Sequence, residues 1–329
     1  MRKQFNYVSL LLVLLFGMSI SLQAQDYKQK KFKRFKLGPA INTLMFDEYA
    51  PTVSRDGKTI IFQSNRDKKW GTYLLYQATK DEQGNWSEPT PIEAINGEAG
   101  AKTVVAGPYL SYDALTLYFS ANFDGDMNIY YSTRESEDAE WGEPTPIAGV
   151  NTGDYEGFPT VSADGERLYY MSRASGQTAS EGEEAGDSES TGKIAGKGQV
   201  HCYTLMVAKK TKANSYEFGA GEELPAPINA DCEKAARIAP DGETIYFASM
   251  RSGAKKGIRD DARDFDLFYS RLEEGGTSWS EPMPADFANH LSSDLYPSLV
   301  AADGATTSMY FNADRKSTRR TPVTWPSRM

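Results

Sequence analysis

A short hairpin motif that recurs five times constrains the fold of this chain more than any other feature. Residues 49–66 read Y-A-P-T-V-S-R-D-G-K-T-I-I-F-Q-S-N-R, which is two β-prone runs separated by Asp56-Gly57. Asp-Gly is typical of tight hairpins, because both residues tolerate positive φ and the turn matches the twist of the flanking strands. A single hairpin of this kind is only marginally stable in water. The repetition therefore predicts a fold in which the hairpins pack on one another.

The other four copies keep the order of strand, turn and strand. Three carry Asp-Gly at residues 164–165, 241–242 and 303–304, and the fourth carries Asp113-Ala114. A W-[SG]-E-P motif follows three of the hairpins, and an apolar residue followed by Asn ends each linker, at residues 95–96, 150–151, 228–229 and 288–289. With a third strand-like run between hairpin and linker, each unit has four short strands, a to d. Four strands at a period of about 50 residues are typical of a propeller blade.

The first linker motif precedes the first hairpin. Residues 37–42 read L-G-P-A-I-N, which matches residues 224–229, yet no hairpin comes before them. We therefore predict an all-β propeller of five four-stranded blades over residues 37–315, closed by an N-terminal strand that pairs with the last blade. Such closure removes two exposed sheet edges. Residues 316–329 contain Pro322 and Pro326 and predict an irregular tail, which would leave the last blade without its third strand.

The repeat resembles a known family. The pattern S-x-D-G-x-x-x-[YF]-F-x-S-N-R, followed by an (Asp/Asn)-(Ile/Leu)-Tyr-like strand, is similar to the WD40-like repeat of TolB-type and tricorn-type β-propellers. The W-S-E-P…I-N linker is similar to the version found in envelope proteins of Bacteroidetes-like bacteria. The resemblance covers about residues 35–315 and implies partners among envelope proteins or peptides, including peptidoglycan-associated and outer-membrane proteins. It identifies a fold more than a function, because propellers host many activities.

The two ends and one insertion fall outside the repeat. Residues 1–24 predict a secretory signal, with a charged start, an apolar run at 8–20 and a cleavage site after Ala24. Residues 25–36 form a basic leader, either solvated or in contact with an anionic lipid or glycan. Residues 174–199 are small and acidic and predict a disordered insertion in blade three. No later segment is long and apolar enough to span a membrane. Together with the signal, this predicts an exported protein in the periplasm or cell envelope. We expect it to be a monomer.

An acidic residue precedes strand a in four copies, and an arginine ends strand b. These two positions are neighbours in an antiparallel hairpin, which predicts acid–arginine pairs on the face that bears the b–c loops and the d–a linkers. Such a pair can fix the edge of a blade, or a ring of them can bind a peptide or anionic ligand at the mouth of the channel. The candidates for this binding face are Glu48, Arg66, Glu156, Arg173, Glu233, Arg251, Asp294 and Arg315.

Two further sets of residues suggest a metal site and a disulfide. Asp124, Asp126 and Asn128 place oxygen atoms at alternate positions, as short calcium loops do, but the Gly and distal Glu of an EF-hand are missing. The alternative is that Asn128 caps the start of strand c. No other cofactor is predicted. Cys202 and Cys232 are expected on one face, and the sequence leaves open whether they form a disulfide or two free thiols.

The composition argues against several classes of function. A formal charge of −9 does not suit a general nucleic-acid binder. Only His201 and His290 are available as histidines, and no nucleophile elbow, zinc motif or phosphate loop occurs. Trp86, Trp141 and Trp279 recur at one blade position, which favours packing between blades over sugar binding. We therefore predict a non-enzymatic binding or scaffold protein. The alternative is a carbohydrate-active enzyme of the glycosidase or sialidase kind, for which two carboxylates about 5–10 Å apart in a pocket would argue.

Overall fold

The structure, a computed structural model, describes an all-β propeller. It describes residues 35–66, 72–97, 100, 102–173, 202–251, 265–289, 294–302, 305–314 and 320–326. The predicted signal, nearly all of the basic leader and the insertion at 174–199 lie outside this part of the chain. Within it, the strands form five four-stranded antiparallel sheets, and one short helix, α1 (Glu93–Asn96), lies in a linker.

The strands follow the predicted a-b-c-d order. The chain begins with β1 (Phe35–Lys36). The first sheet comprises β2 (Glu48–Val53), β3 (Thr59–Ser64), β4 (Leu74–Thr79) and β5 (Thr90–Pro91). The second comprises β6 (Val105–Leu110), β7 (Thr116–Ala121), β8 (Asn128–Thr133) and β9 (Thr145–Pro146). The third comprises β10 (Tyr155–Val161), β11 (Arg167–Arg173), β12 (Thr204–Lys209) and β13 (Glu222–Glu223). The fourth comprises β14 (Glu233–Ile238), β15 (Thr244–Ser249), β16 (Asp266–Arg271) and β17 (Met283–Pro284).

The fifth sheet differs from the sequence prediction in two ways. It comprises β18 (Asp294–Ala302), β19 (Ala305–Asp314), β20 (Arg320–Pro326) and β1. The predicted irregular tail therefore contains a third strand. Among the described residues β1 pairs with β20 at Val323 and Thr324 and not at Pro322 or Pro326. A proline is tolerated at a strand position where its missing N–H has no ladder partner. In addition, the strand predicted at 37–42 is a turn closed by Asn42 N–H on Gly38 O at 2.8 Å, and the strand itself lies at Phe35–Lys36.

The a strands line the centre, where neighbouring a strands contact one another, and each is kinked at one position. The ladder between strands a and b shifts register at that position in every sheet. The bulged residues all have positive φ, between 47° and 58°, and are Ala50, Gly107, Phe158, Ala235 and Tyr296. A left-handed backbone costs a residue with a Cβ about 1–2 kcal/mol, so four such residues and one glycine at the same position indicate a common structural need.

The need is a hydrogen bond between sheets. The bulge leaves the N–H of the residue outside its own ladder, and a buried N–H must find another acceptor. At Gly107, Phe158 and Ala235 a side chain at the fifth position of strand b in the preceding sheet supplies it. Gln63 Oε1 accepts from Gly107 N at 2.7 Å, and Ser120 Oγ accepts from Phe158 N at 2.8 Å. Met171 Sδ accepts from Ala235 N at 2.9 Å.

The repeated linker Asn holds strand c. In four sheets its side-chain amide bonds both the N–H and the C=O of the second residue of strand c, at distances of 2.7–3.1 Å. The pairs are Asn96 with Leu75, Asn151 with Ile129, Asn229 with Leu205, and Asn289 with Leu267. The amide thus stands in for one residue of a neighbouring strand, which explains why Asn recurs there.

A recurrent aromatic position lies shortly before strand d, and in the second sheet its side chain packs on the preceding sheet. Trp141 is buried, and its Nε1–H donates to Gln77 Oε1 in the first sheet at 3.3 Å. In the third sheet Phe218 takes the tryptophan position, since its bridge to Lys210 matches those of Trp86 to Lys80 and Trp279 to Leu272. The interpretation of Trp141 as an inter-blade packing residue is confirmed.

The described part of the chain has no helix with the length and apolar character needed to cross a bilayer.

Replacing Gly107 by Ala should destabilise the protein more than replacing Gly57 by Ala. Both glycines have positive φ, of 58° and 73°, so both substitutions cost about 1–2 kcal/mol of backbone strain. A Cβ at Gly107 would lie 2.9 Å from the Phe158 ring, whereas one at Gly57 has nothing within 4 Å. We expect a further loss of about 1–3 kcal/mol for Gly107→Ala, measured by urea unfolding. Equal losses for the two variants would contradict the tight packing at the bulge.

Candidate binding site at one end of the propeller axis

Two of the predicted acid–arginine pairs are present. Arg66 Nη2 lies 3.3 Å from Glu48 Oε1, and Arg251 Nη2 lies 2.8 Å from Glu233 Oε1. Each arginine also donates to the d–a linker, Arg66 to Ile41 O at 3.0 Å and Arg251 to Ile228 O at 2.6 Å. Because these guanidinium groups tie the linker to its blade, the geometry agrees with the structural role.

The other two predicted pairs differ. The Glu156 carboxylate accepts from the N–H and the hydroxyl of Thr152, at 3.0 and 2.6 Å. Arg173 instead lies over the rings of Tyr155 and Tyr203, 5.6 and 5.3 Å from their centres. The expected pair in this sheet is therefore not formed, because the Arg173 guanidinium lies over these two rings instead of beside the Glu156 carboxylate.

The fourth predicted pair was Asp294 with Arg315. Asp294 is buried. Arg315 lies outside the described residues, so this pair stays a prediction.

On the same face, aromatic side chains fill the centre where the sequence predicts a channel mouth. The rings of Phe158 and Tyr296 stack with centres 5.0 Å apart, and Tyr49 meets Tyr296 edge-on at 6.4 Å. Phe158 and Tyr296 belong to the third and fifth sheets, so their contact crosses the centre. All three are buried. A peptide therefore finds packed side chains here rather than an opening.

Arg237 occupies the centre at the level below these rings. Its Nε donates to Pro297 O at 3.0 Å, Nη1 to Pro159 O at 3.2 Å and Nη2 to Pro108 O at 3.4 Å. Arg237 lies in the fourth sheet and the three carbonyls in the fifth, third and second, so one side chain joins four sheets. It is 5% exposed, and its centre lies 4.9 Å from the Tyr109 ring. Burial lowers the pKa of Arg237 to about 10, so it is still charged at neutral pH.

A cavity of about 40 Å³ opens beside Arg237. The lining residues come from the ends of β2, β6, β14 and β18 that lead into the a–b hairpins, and they are Thr52, Val53, Arg55, Tyr109, Leu110, Ser111, Tyr112, Arg237, Ile238, Pro240, Ser298 and Leu299. This is the end of the disc opposite the face that the sequence analysis favoured. We call this cavity the axial pocket.

The axial pocket offers hydrogen-bond donors and positive charge. Its lining, taken over the described residues, includes two arginines, two tyrosines and three hydroxyl side chains, and no Asp, Glu, His or Cys. Arg55 is exposed at the rim and lies 4.6 Å from the centre of the Tyr112 ring, which positions its guanidinium by a cation–π contact. This arrangement suits an anionic or hydrogen-bond-accepting group.

The aspartate side chains of the neighbouring hairpins accept hydrogen bonds from residues of their own turns. Asp56 Oδ1 accepts from Ser54 Oγ at 2.6 Å and Lys58 N at 3.0 Å. Asp113 Oδ1 accepts in the same way from Ser111 Oγ at 2.5 Å and from Leu115 N at 3.0 Å. The Asp of the repeated turn therefore stabilises the hairpin, as such side chains do in Asx-turns.

The sequence analysis did not single out Arg237, although the alignment of the five hairpin copies distinguishes this residue. The four other hairpin copies place Thr52, Tyr109, Thr160 and Ser298 at the same register of strand a. One arginine at an inward-facing position otherwise held by hydroxyl side chains marks a charge placed on the axis.

The structure decides between the two states left open for the cysteines. Cys202 and Cys232 form a disulfide, with their Cα atoms 4.7 Å apart. It joins the residues before β12 in the third sheet to the linker before β14 in the fourth. The bond closes a loop of about 30 residues, which restricts the unfolded chain and adds roughly 3 kcal/mol of stability.

The calcium hypothesis stays a prediction. Asp124 Oδ2 accepts a hydrogen bond from the Tyr130 hydroxyl at 2.9 Å. Across the ranges that the structure describes, no group of three or more His, Cys, Asp or Glu side chains is placed to hold a metal ion.

Comparisons with known proteins show the fold alone. No protein-family model and no curated protein matches the chain. An α-L-arabinofuranosidase of Podospora anserina in complex with cellotriose is similar in structure, with 10% identity, a TM-score of 0.55 and coverage of 91% of this chain and 97% of that one. An α-L-arabinofuranosidase of Lactobacillus brevis has 14% identity, a TM-score of 0.53 and coverage of 87% and 92%. TolB from Acinetobacter baumannii has 14% identity and coverage of 84% and 49%, and its TM-score of 0.40 is too low to carry an argument.

The stability of the fold should fall as the pH rises from about 5 to 7, partly because of Glu48. Burial raises the pKa of this carboxyl to about 7, against the opposing effects of Thr43 and Arg66, whereas the unfolded chain has the ordinary value of 4.5. Between these values the folded state holds more protons, so raising the pH favours unfolding. We expect the fall in the free energy of unfolding over this window to be about 1–3 kcal/mol smaller in Glu48→Gln, measured by urea unfolding at each pH.

The matched control for this prediction is Glu88→Gln, which removes an exposed carboxylate. A Glu48→Gln profile parallel to that of the parent chain would contradict the role assigned to burial of Glu48.

Proposed function

We propose that the protein is a non-enzymatic binding or scaffold propeller of the bacterial periplasm or cell envelope. It recognises a protein or peptide partner through the end of the disc that bears the axial pocket. The observation that carries this proposal is the pocket itself, which lies on the axis beside a buried arginine and is lined by donors and aromatic rings without an acid–base pair. Its location in the envelope rests on the signal-like residues 1–24.

The second candidate is a carbohydrate-active enzyme, favoured by the arabinofuranosidases of similar fold. Glycoside hydrolysis by two carboxylates requires both of them to face the substrate, about 5–10 Å apart. None of the described residues that line the axial pocket carries a carboxylate. At the other end of the disc Glu48, Glu156 and Glu233 are buried and bonded to Thr43, Thr152 and Arg251. Binding is therefore the better-supported reading.

The binding surface requires a continuous ring, and we propose that five blades close one. Pairing of β1 with β20 supports closure. So does Asn312, which pairs with Leu295 in its own sheet as Gln63 pairs with Tyr49. Its Oδ1 accepts from Ala50 N at 2.8 Å and its Nδ2 donates to Glu48 O at 2.5 Å. These bonds join residues more than 260 positions apart and repeat the contact between Gln63 and Gly107. Strand β18 also contacts β2.

Closure can be tested by comparing Asn312→Ala with Gln63→Ala. Each substitution removes the acceptor of a buried bulge N–H, which costs about 1–3 kcal/mol. In a closed ring both should lower the free energy of unfolding by similar amounts, measured by urea unfolding. If the junction between the fifth and first sheets is open, Asn312→Ala will cost much less than Gln63→Ala.

The proposed partner binding can be tested by photo-crosslinking in the native cell. A benzoylphenylalanine replaces Tyr112 at the rim of the axial pocket, and a matched variant carries it at Leu44, which is 84% exposed in the linker at the opposite end. We expect one recurrent envelope-protein adduct at position 112, identified by mass spectrometry, and none at position 44. Adducts at position 44 alone, or turnover of p-nitrophenyl α-L-arabinofuranoside by the purified chain, would contradict the proposal.

A further inference from the structure

The buried charge of Arg237 is held by carbonyl groups rather than by a carboxylate. Within the part of the chain that the structure describes, its three hydrogen-bond partners are the oxygens of Pro108, Pro159 and Pro297. Carbonyl dipoles stabilise a cation but leave its net charge in place, so a full positive charge stays at the floor of the axial pocket. A buried charge without an opposite charge favours an anion that reaches it.

Arg237 also keeps unused donors. A guanidinium has five N–H groups, one on Nε and two on each Nη. Three of them donate to the carbonyls, which leaves one N–H on Nη1 and one on Nη2. Arg237 lines the pocket, so these groups are available to a ligand that enters it. Ser298 and Thr52 add hydroxyl groups to the same wall.

A second cation lies at the entrance. Arg55 is exposed and is stacked on Tyr112, so an incoming group passes a positioned guanidinium before it reaches Arg237. The nearby carboxylates of Asp56 and Asp113 are bonded within their own hairpins. These carboxylates keep their negative charge, but they are not among the described residues that line the pocket, whereas Arg55 and Arg237 are. The lining therefore carries positive charge although the whole chain carries a formal charge of −9.

The size of the pocket limits the group that enters. One water molecule needs roughly 10–15 Å³ of such volume, so a cavity of about 40 Å³ holds about three water-sized groups. That is the size of a carboxylate with its adjoining carbon and is smaller than a sugar ring. A planar carboxylate also matches the geometry of guanidinium donors.

We infer that the axial pocket receives a single carboxylate group of a peptide, which is either the C-terminal carboxylate or that of an Asp or Glu side chain. This inference rests on the proposed binding function and gives it a ligand chemistry. The carboxylate contacts Arg237 at the floor and passes Arg55 at the rim, while the rest of the peptide lies over the a–b hairpins.

The inference is tested with small probes and the chain spanning residues 25–329. N-acetylglycine represents a C-terminal carboxylate, N-acetylaspartic acid α-amide a side-chain carboxylate, and N-acetylglycinamide the neutral control. Binding is measured by ligand-observed NMR titration at low salt. We expect at least one acid to bind and the neutral amide not to bind, and the acid that binds more tightly identifies the source of the carboxylate. Equal binding of the amide, or tighter binding of glucuronate than of either acid, would overturn the inference.

Three variants test whether the acid binds at the axial pocket. Arg55→Gln removes the rim charge and should weaken the acid about threefold. Arg271→Gln is the matched control, because Arg271 is exposed at the same end of the fourth sheet and does not line the pocket. Arg237→Lys keeps the charge but not the fork of donors and should weaken the acid at least about tenfold if the variant folds. If Arg237→Lys does not fold, Arg55→Gln decides, and unchanged affinity in that variant would overturn the inference.

The proposal of partner binding and the inference of carboxylate recognition can be contradicted independently of each other. Crosslinks at position 112 without binding of either acid would leave the binding function standing and overturn the carboxylate chemistry. Binding of an acid probe that Arg55→Gln weakens, without any crosslinked partner, would support the pocket chemistry and count against a protein partner.

Discussion

One kinked residue in each inner strand determines how this molecule is assembled. The bulge forces the residue into a left-handed backbone, which removes its N–H from its own ladder and presents it to the preceding sheet. The next residue is proline in four of the five sheets, and a proline has no N–H of its own to satisfy. Three of these prolines then present their carbonyls to Arg237. The bonds between sheets and the carbonyl cage on the axis are thus two results of one backbone distortion.

Placing a cation in this cage has an energetic consequence. Burial of an isolated charge is costly, and the lowered pKa of Arg237 reflects that cost. Three hydrogen bonds from the side chain to carbonyls, and the nearby Tyr109 ring, offset part of it. Because no carboxylate is supplied among these partners, the charge can act on a ligand at the end of the axis.

Much of the fold could be predicted from the sequence, because the turn dipeptides and the linker Asn act locally. The dipeptide Asp56-Gly57 is enough to predict its hairpin. The linker Asn, of which Asn229 is one copy, indicates a linker at each place where it occurs. The third strand of the last sheet could not be predicted, since Pro322 and Pro326 are acceptable only at positions where the missing N–H has no ladder partner. The binding site proposed here lies at the end of the disc opposite the face predicted from the sequence, and that face stays a prediction. The acid–arginine pattern is visible in the sequence, whereas the role of Arg237 depends on carbonyls that three distant strands bring together.

The side chains that join neighbouring sheets also bear on how a repetitive chain avoids mispairing. Similar repeats can dock in the wrong order during folding, which produces swapped or offset arrangements. Here the acceptors at four of the junctions differ in length and chemistry, being an amide at Gln63, a hydroxyl at Ser120, a thioether at Met171 and a shorter amide at Asn312. The equivalent residue at the junction of the fourth and fifth sheets is Ala248, whose side chain has no acceptor. A sheet docked one place along would present its neighbour with an acceptor of the wrong reach. The near-copies are therefore not interchangeable, because the acceptor side chains at the sheet junctions favour one order of the sheets around the disc.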